Sequence, residues 1–288
     1  MTEVPHPSAT ADVHVLGGDL PVRRLGYGAM RITGSGIWGE PPDRDGAKAL
    51  LRRALELGVN LIDTADSYGP EVSELLIADA LHPYPTDLVI ATKGGLLRDG
   101  PSQWRADCRP SYLRGACEAS LRRLRLERID LYQLHAVDPQ VPIEESVGAL
   151  VELQGAGLVR HIGVCNVSAD QLARARGIAD VVSVQNRYNL ADRGSEDLVD
   201  ACEREGLAFL PWYPLATGEL AAPGGQLDQI AQARGATAAQ VALAWLLARS
   251  PTMLPIPGTG SIEHLEENMG AALLDLTPDD LAALAGRA

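Results

Sequence analysis

Four titratable residues at the ends of apolar runs form the pattern in this sequence that is best suited to chemistry. Asp63 and Tyr68 follow one run, Lys93 follows the next, and His135 ends a third. A carboxylate, a phenol, an ammonium and an imidazole that share one site can protonate a carbonyl oxygen while a hydride reaches the carbonyl carbon. The pattern therefore indicates carbonyl reduction, although each residue alone is more typical of a structural or surface position.

Tyr68 is the candidate proton donor of this set. A free phenol has a pKa of about 10 and is a weak acid at neutral pH. We expect the ammonium of Lys93 to lower that pKa toward the working pH, and Asp63 to keep Lys93 charged and in place. We expect His135 to donate a hydrogen bond that orients the carbonyl oxygen.

These residues converge if they follow neighbouring strands of a parallel barrel, whose active sites lie at the carboxyl ends of the strands. Eight short apolar runs alternate with helical patterns without a break in composition, which predicts a single-domain (β/α)8 barrel over residues 1–288. The runs are Leu25–Gly28, Asn60–Asp63, Leu88–Thr92, Ile129–His135, Ile162–Cys165, Val181–Gln185, Ala208–Pro211 and Met253–Pro257.

Local signals mark helix starts and a hairpin. Val13–Leu16 and Val22–Arg24 are predicted to pair across a Gly17-Gly18 turn and to close the bottom of the barrel. Residues 1–12 are polar and contain proline, which predicts a loose tail. Predicted helix N-caps are Asp43, Ser168, Thr237 and Ser261.

An open doubly wound sheet is the alternative fold, and it requires an early nucleotide-binding fingerprint. The segment Gly34–Gly39 does spell G-x-G-x-x-G. However, no buried strand immediately precedes it, and Pro41 and Pro42 follow at once, so the third glycine cannot lie in the first turns of a helix. We expect a flexible loop over the barrel mouth instead.

Composition excludes several classes of protein. The net charge is −13 and the basic run Arg122–Arg128 has helical spacing, so nucleic acid is not an expected partner. The four cysteines form no C-x-x-C pair, and no Cys/His run has the spacing of a zinc site. No secretory signal and no apolar stretch of about 20 residues is evident, which predicts a cytoplasmic enzyme without a membrane partner. The oligomeric state stays open.

Several motifs, in order along the chain, resemble the aldo-keto reductases. The resemblance implies the (β/α)8 barrel, a nicotinamide hydride donor and no metal. It also implies that Tyr68 is the general acid, that Lys93 and Asp63 tune it, and that His135 orients the carbonyl. The motifs are L-I-D-T-A-D-S-Y-G (61–69), A-T-K (91–93), Y-Q-L-H (132–135), H-I-G-V-C-N (161–166) and W-Y-P-L (212–215).

Two further runs, L-G-Y-G-A-M (25–30) and I-P-G-T (256–259), resemble bacterial reductases of the pyridoxal-reductase type. This likeness suggests an aldehyde substrate, with pyridoxal as one candidate.

The resemblance also implies a cofactor site. Asn166 and Gln185 match the residues that hold the nicotinamide carboxamide, and Trp212 matches the aromatic residue that stacks on the ring. Cys165 stands where the family usually has Ser, which weakens or removes one hydrogen bond. The remaining implied positions are Gly28, Met30, Tyr213, Pro214, Leu215, Gly218, Gly258, Thr259, Ser261, His264, Glu267 and Asn268.

The adenosine end departs from the best-known members of the family. They have Lys at the position of Gly258 and Arg at that of His264, and both cations neutralise the 2′-phosphate of NADP. Hydroxyls, backbone amides and a protonated His264 would have to replace them here. We expect a preference for NADPH, with NADH as the alternative.

Substrate specificity is expected from two loops, because the last helix ends near the C-terminus and leaves a more open mouth. The loop Arg31–Pro42 contributes Trp38, and the loop Gly94–Cys108 contributes Trp104. Both indoles are candidates for the substrate pocket, and the alternative is that they only pack against its rim.

Two other functions compete with a reductase. A cofactor-sensing regulatory subunit can retain the same four residues, so they do not exclude it. A glycosidase would use a pair of carboxylates, for which Asp63 and Asp66 are the candidates. Both carboxylates come from one short loop, and the chain is only 4% aromatic, which disfavours a sugar site.

Overall fold

The computed structural model describes residues 12–215 and 225–285. An antiparallel hairpin comes first, formed by β1 (Val13–Leu16) and β2 (Leu20–Arg23). Gly17 and Gly18 turn between them at positive φ, which glycine adopts without steric cost. The hairpin prediction is confirmed, and its second strand starts two residues earlier than expected.

Seven of the predicted apolar runs form a parallel sheet within the described residues, each strand beside its predecessor. In its register Asp63 pairs with Ala91 and Lys93 with Gln133, so the polar strand ends reach the same edge. The strands are β3 (Tyr27–Gly28), β4 (Leu61–Asp63), β5 (Val89–Gly94), β8 (Ile129–Leu134), β9 (Val159–Cys165), β10 (Val181–Gln185) and β11 (Ala208–Phe209).

The eighth predicted run, Met253–Pro257, closes the barrel without forming a regular strand. On one side the Leu254 N–H donates to the Phe209 carbonyl over 2.8 Å, and on the other the Gly26 N–H donates to the Pro255 carbonyl over 3.0 Å. The ladder is incomplete because proline has no N–H to donate. The (β/α)8 barrel is confirmed, and the open doubly wound sheet is wrong.

The hairpin closes the amino-terminal end of the barrel. Leu16, Leu20 and Val22 pack in one buried cluster with inward-facing residues of the parallel strands, such as Leu61 and Leu131. Asp12 hydrogen-bonds the Arg24 backbone through its carbonyl. The rest of the tail predicted over residues 1–12 lies outside the described residues.

Helices surround the sheet, and each of the four predicted N-cap side chains accepts a hydrogen bond from the backbone N–H three residues on. Asp43 accepts from Gly46 N over 2.8 Å, and Ser168 and Thr237 each form a capping box with the glutamine three residues on. No helix within the described residues combines the length and the hydropathy of a membrane span. They are α1 (Arg44–Glu56), α2 (Val72–Leu81), α3 (Pro110–Leu124), α4 (Ile143–Gly155), α5 (Ala169–Arg176), α6 (Glu196–Glu205), α7 (Gln226–Arg234), α8 (Ala238–Arg249), α9 (Ile262–Met269) and α10 (Pro278–Ala285).

A second hairpin stands at the carboxyl-terminal mouth where a loop was expected over Gly94–Cys108. It consists of β6 (Leu96–Gly100) and β7 (Gln103–Ala106), which are antiparallel. The turn signal Gly100-Pro101-Ser102 marks its tip and could have identified it.

The glycine-rich segment 34–39 is not a free loop over the mouth. The guanidinium of Arg98, on β6, donates to the carbonyls of Ile37 and Gly36, each over 2.7 Å. Gly39 N also donates to the carbonyl of Gly69, the residue directly after Tyr68. The expected flexible loop is therefore corrected to a segment tied to its neighbours by hydrogen bonds.

Candidate active site

Lys93 and its partners form the buried floor of the candidate site. The ammonium of Lys93, at the end of β5, donates to Asp63 Oδ1 over 2.6 Å, to the Thr64 carbonyl over 2.9 Å and to the Tyr68 hydroxyl over 3.3 Å. These three contacts use all of its N–H groups. Because Tyr68 accepts from Lys93, its own proton remains available to another acceptor.

Asp63 is fixed by more than its ion pair. Its second carboxylate oxygen accepts from the side-chain amides of Gln185 over 2.8 Å and Gln133 over 3.1 Å. Sequence reasoning missed Gln133. A glutamine in the middle of the apolar run Ile129–His135 was the signal, because an inward polar residue in a barrel needs a partner.

The pKa of Tyr68 is shifted upward, whereas the sequence led us to expect a lowered pKa. Burial raises the pKa of Tyr68 to about 12, and the charge of Lys93 opposes that rise without overcoming it. Burial also disfavours the charged form of Lys93, but the neighbouring Asp63 more than compensates, so the pKa of Lys93 is raised. The site therefore holds a protonated phenol beside an ammonium that stays charged.

His135 supplies a neutral imidazole at the same mouth. Burial, together with the charge of Lys93, lowers the pKa of His135 well below its usual value. Its Nδ1 lies 3.3 Å from the hydroxyl of Ser67, another residue that sequence reasoning missed. When Ser67 donates to Nδ1, the single imidazole proton lies on Nε2 and can be donated.

A cavity of about 710 Å³ opens above this cluster and runs to α9. Lys93, Cys165, Ser261 and Trp38 do not line it, and Gly218 lies outside the described residues. The predicted residues that line it are Gly28, Met30, Asp63, Tyr68, Trp104, His135, Asn166, Gln185, Trp212, Tyr213, Pro214, Leu215, Gly258, Thr259, His264, Glu267 and Asn268.

Asn166 and Trp212 hold each other in the wall near His135. Asn166 has left-handed backbone geometry (φ 57°), its amide donates to the His135 carbonyl over 3.0 Å, and its oxygen accepts from the Trp212 indole over 2.9 Å. One amide hydrogen and one lone pair of Asn166 remain for a ligand. Cys165 does not line the cavity, its sulfur lies 3.8 Å from the Gln133 amide oxygen, and burial raises the pKa of its thiol.

The far end of the cavity is built from the segment before α9. Thr259 Oγ1 accepts from Ser261 N over 3.0 Å, and Ser261 Oγ accepts from His264 N over 3.4 Å. A Cβ at Gly258 would lie 2.8 Å from the Gly28 carbonyl oxygen, so this close approach excludes a larger residue without movement. Ser261 lines a second cavity of about 520 Å³ beside the first.

The two candidate pocket tryptophans differ in position. Trp104, on β7, lines the large cavity with its ring centroid 6.5 Å from that of His135. The Arg98 guanidinium lies 3.9 Å from the Trp104 ring and 5.8 Å from the Trp38 ring. Trp38 pairs with Gly69 on the rim and lies outside the cavity wall.

The chain matches known oxidoreductases over almost its whole length. It is 49% identical over 267 residues to an uncharacterized oxidoreductase of Schizosaccharomyces pombe, covering 93% of this chain and 87% of that protein. It is 46% identical over 275 residues to pyridoxine 4-dehydrogenase of Escherichia coli, covering 93% of this chain and 96% of that protein.

Solved structures agree with this relationship. A glycerol dehydrogenase from Gluconobacter oxydans superposes with a TM-score of 0.88 at 28% identity, covering 96% of this chain and 94% of that one. An aldo/keto reductase from Klebsiella pneumoniae, in complex with NADP and acetate, gives a TM-score of 0.83 at 29% identity, covering 96% and 95%. The model of the aldo/keto reductase family matches residues 24–286. The chain thus belongs to the aldo/keto reductase family and is an oxidoreductase that reduces carbonyl groups.

Proposed function

We propose that this chain is an NADPH-preferring aldehyde reductase in which Tyr68 donates the proton. The observation that carries the proposal is the buried chain of contacts from Asp63 through Lys93 to the Tyr68 hydroxyl, with 2.6 Å and 3.3 Å between the paired atoms. This series of contacts ends at a cavity large enough for a dinucleotide and a small aldehyde.

The residues along the cavity suit a nicotinamide dinucleotide. The Trp212 indole offers a flat aromatic face, and Asn166 and Gln185 offer amide groups at the same end. Thr259 on the cavity wall and Ser261 in the wall of the neighbouring second cavity offer hydroxyls at the start of α9, where backbone N–H groups favour phosphate. When bound, the reduced nicotinamide supplies the hydride for the carbonyl carbon.

Tyr68 and Lys93 supply the proton transfer in the proposed reaction. As the π electrons of the substrate C=O bond become a lone pair on oxygen, that oxygen takes the phenolic proton of Tyr68. Tyr68 thereby becomes a phenolate. Lys93 already donates to that oxygen, so its charge stabilises the phenolate as it forms. Because burial raises the pKa of Tyr68 to about 12, the donor is protonated before each turnover at neutral pH.

Substrate orientation falls to His135 and the aromatic wall. The neutral imidazole can donate to the same carbonyl oxygen, since it lies beside Tyr68 with 5.8 Å between ring centroids. Trp104 and Tyr213 add flat apolar surface at the mouth, which suits an aromatic aldehyde. Pyridoxal is one test substrate, in keeping with the name of the E. coli relative.

A cytoplasmic location is part of the proposal. All four cysteines are buried free thiols, a form that a reducing compartment maintains.

Loss of nicotinamide absorbance with a panel of aldehydes, including pyridoxal, tests the proposed reaction. We expect turnover of aromatic aldehydes with NADPH at a higher kcat/KM than with NADH. Tight cofactor binding without turnover of any aldehyde would favour a cofactor-sensing subunit. Failure to bind either cofactor would remove the proposal.

A further inference from the structure

Arg31 stands out at the far end of the large cavity. Among the described residues that line this cavity it is the sole arginine or lysine. Within residues 12–215 and 225–285 its exposed guanidinium has no ion pair and no hydrogen bond, whereas Arg53 on α1 pairs with Glu56 and Glu266. An unpaired cation on a cavity wall is available to an anionic ligand.

The position of Arg31 ties it to the segment before α9. It is the residue shared by the walls of the large and the second cavity. A Cβ built on Gly258 would lie 3.7 Å from Arg31 Cγ, and one built on Gly260 would lie 3.2 Å from the Arg31 carbonyl oxygen. The arginine thus lies across the same backbone that presents the hydroxyls of Thr259 and Ser261.

The carboxylates that line the two cavities disfavour binding of a phosphate unless a nearby cation offsets their charge. Glu267 lines the large cavity, and Asp43 and Glu263 line the second one. The whole chain carries a net charge of −13. A phosphate that entered between these carboxylates would be repelled unless a local cation offset them, and among the described lining residues Arg31 is that cation.

We propose that Arg31 binds the 2′-phosphate of NADPH, together with Thr259 and Ser261, and so sets the preference for NADPH over NADH. This inference rests on the proposed function, which puts the nicotinamide beside Tyr68 and Trp212. The adenosine end then lies toward α9, where Arg31 borders both cavities. A guanidinium can donate two parallel hydrogen bonds to a phosphate, which suits this role.

Equilibrium binding tests the proposal without reference to turnover. Dissociation constants for NADPH and NADH are measured by quenching of tryptophan fluorescence, since Trp104 and Trp212 line the cavity. Calorimetry with 2′,5′-ADP and 5′-ADP then isolates the adenosine end. The proteins are the parent chain, Arg31→Gln, Arg31→Lys, and the control Arg128→Gln, which removes the same charge at the opposite end of the barrel beside the start of β8.

We expect Arg31→Gln to weaken binding of NADPH and of 2′,5′-ADP by about 10- to 100-fold. Binding of NADH and of 5′-ADP should stay within about threefold of the parent. Arg31→Lys should recover part of the lost affinity for NADPH, and Arg128→Gln should leave the dissociation constants of both cofactors unchanged. Equal weakening of NADPH and NADH in Arg31→Gln, or no weakening, would overturn the inference. A parent chain that binds neither cofactor would instead refute the proposed function.

Discussion

The two ends of the large cavity are built on different physical principles. At the proton-donor end, Asp63, Lys93 and Gln133 are buried, come from three neighbouring strands and satisfy one another's hydrogen bonds. At the proposed adenosine end, Arg31 lies exposed after β3 and His264 lies exposed on α9, and Arg31 has no partner among the described residues.

This difference suits the buried end to the chemical step and the exposed end to discrimination between ligands. A buried hydrogen-bonded cluster is held in place before substrate arrives, which favours reaction at one fixed point. An exposed cation contributes little to stability, so it can affect affinity and discrimination with little effect on the fold. Substitutions at the two ends should therefore produce different combinations of lost activity and lost stability.

Lys93→Met should produce the largest combined effect. It leaves Asp63 charged and buried, so we expect the free energy of unfolding to fall by about 3–5 kcal/mol. It also removes the stabilisation of the phenolate, so kcat should fall by about 10²-fold or more. Denaturant melts and steady-state kinetics measure both.

Lys48→Met is the matched control, because Lys48 pairs with Asp45 on the surface of α1. Its loss should cost no more than about 1 kcal/mol and leave turnover unchanged. A Lys93 variant that behaves like this control would show that the buried pair is not needed.

His135 should make stability depend on pH below neutrality. Burial lowers its folded-state pKa, so below about pH 6.5 the unfolded chain binds a proton that the folded chain does not. The free energy of unfolding should therefore fall as the pH drops below about 6.5, with a limiting slope of about 1.4 kcal/mol per pH unit through this group alone.

His135→Gln should reduce the pH dependence of the unfolding free energy by up to about 1.4 kcal/mol per pH unit, the contribution of one proton. The exposed control His82→Gln should retain the parental slope. Melts at several pH values measure the slopes. Identical slopes in the parent chain and His135→Gln would mean that His135 is protonated in the folded state.

Arg98→Met should affect the substrate pocket and spare both ends of the cofactor site. It removes the hydrogen bonds to Ile37 and Gly36 and the contact beneath Trp104. We expect the KM for an aromatic aldehyde to rise by roughly tenfold, with an unchanged dissociation constant for NADPH. Arg105→Gln is the control, because Arg105 pairs with Asp99 on the same hairpin but in solvent.

Trp38→Ala should have the smallest effect. Trp38 lies outside the cavity wall, so the KM for aldehydes should change by no more than about twofold, whereas Trp104→Ala should raise it several-fold. A larger change in KM for Trp38→Ala than for Trp104→Ala would reverse the assignment of the pocket wall.

The sequence predicted the parts of the molecule that local signals control. Apolar runs with polar ends located the strands and the Asp63, Lys93 and His135 positions, and capping residues such as Ser168 located helix starts. These features depend on residues close together in the chain.

Features that depend on contacts between distant segments were missed or misjudged. The sign of the Tyr68 shift required knowing how deeply the phenol is buried, and the partnership of Gln133 with Asp63 joins residues 70 positions apart. Arg98 was missed because its partners, Gly36 and Ile37, lie about 60 residues away. Arg31 was missed because both cavity walls form only in the folded chain.

The most direct test of the central claim compares turnover with cofactor binding in Tyr68→Phe, which removes one hydroxyl and keeps the ring. We predict that kcat for aldehyde reduction falls by about 10²- to 10⁴-fold while the dissociation constant for NADPH stays within about twofold of the parent. Turnover retained at the parental rate would contradict Tyr68 as the proton donor.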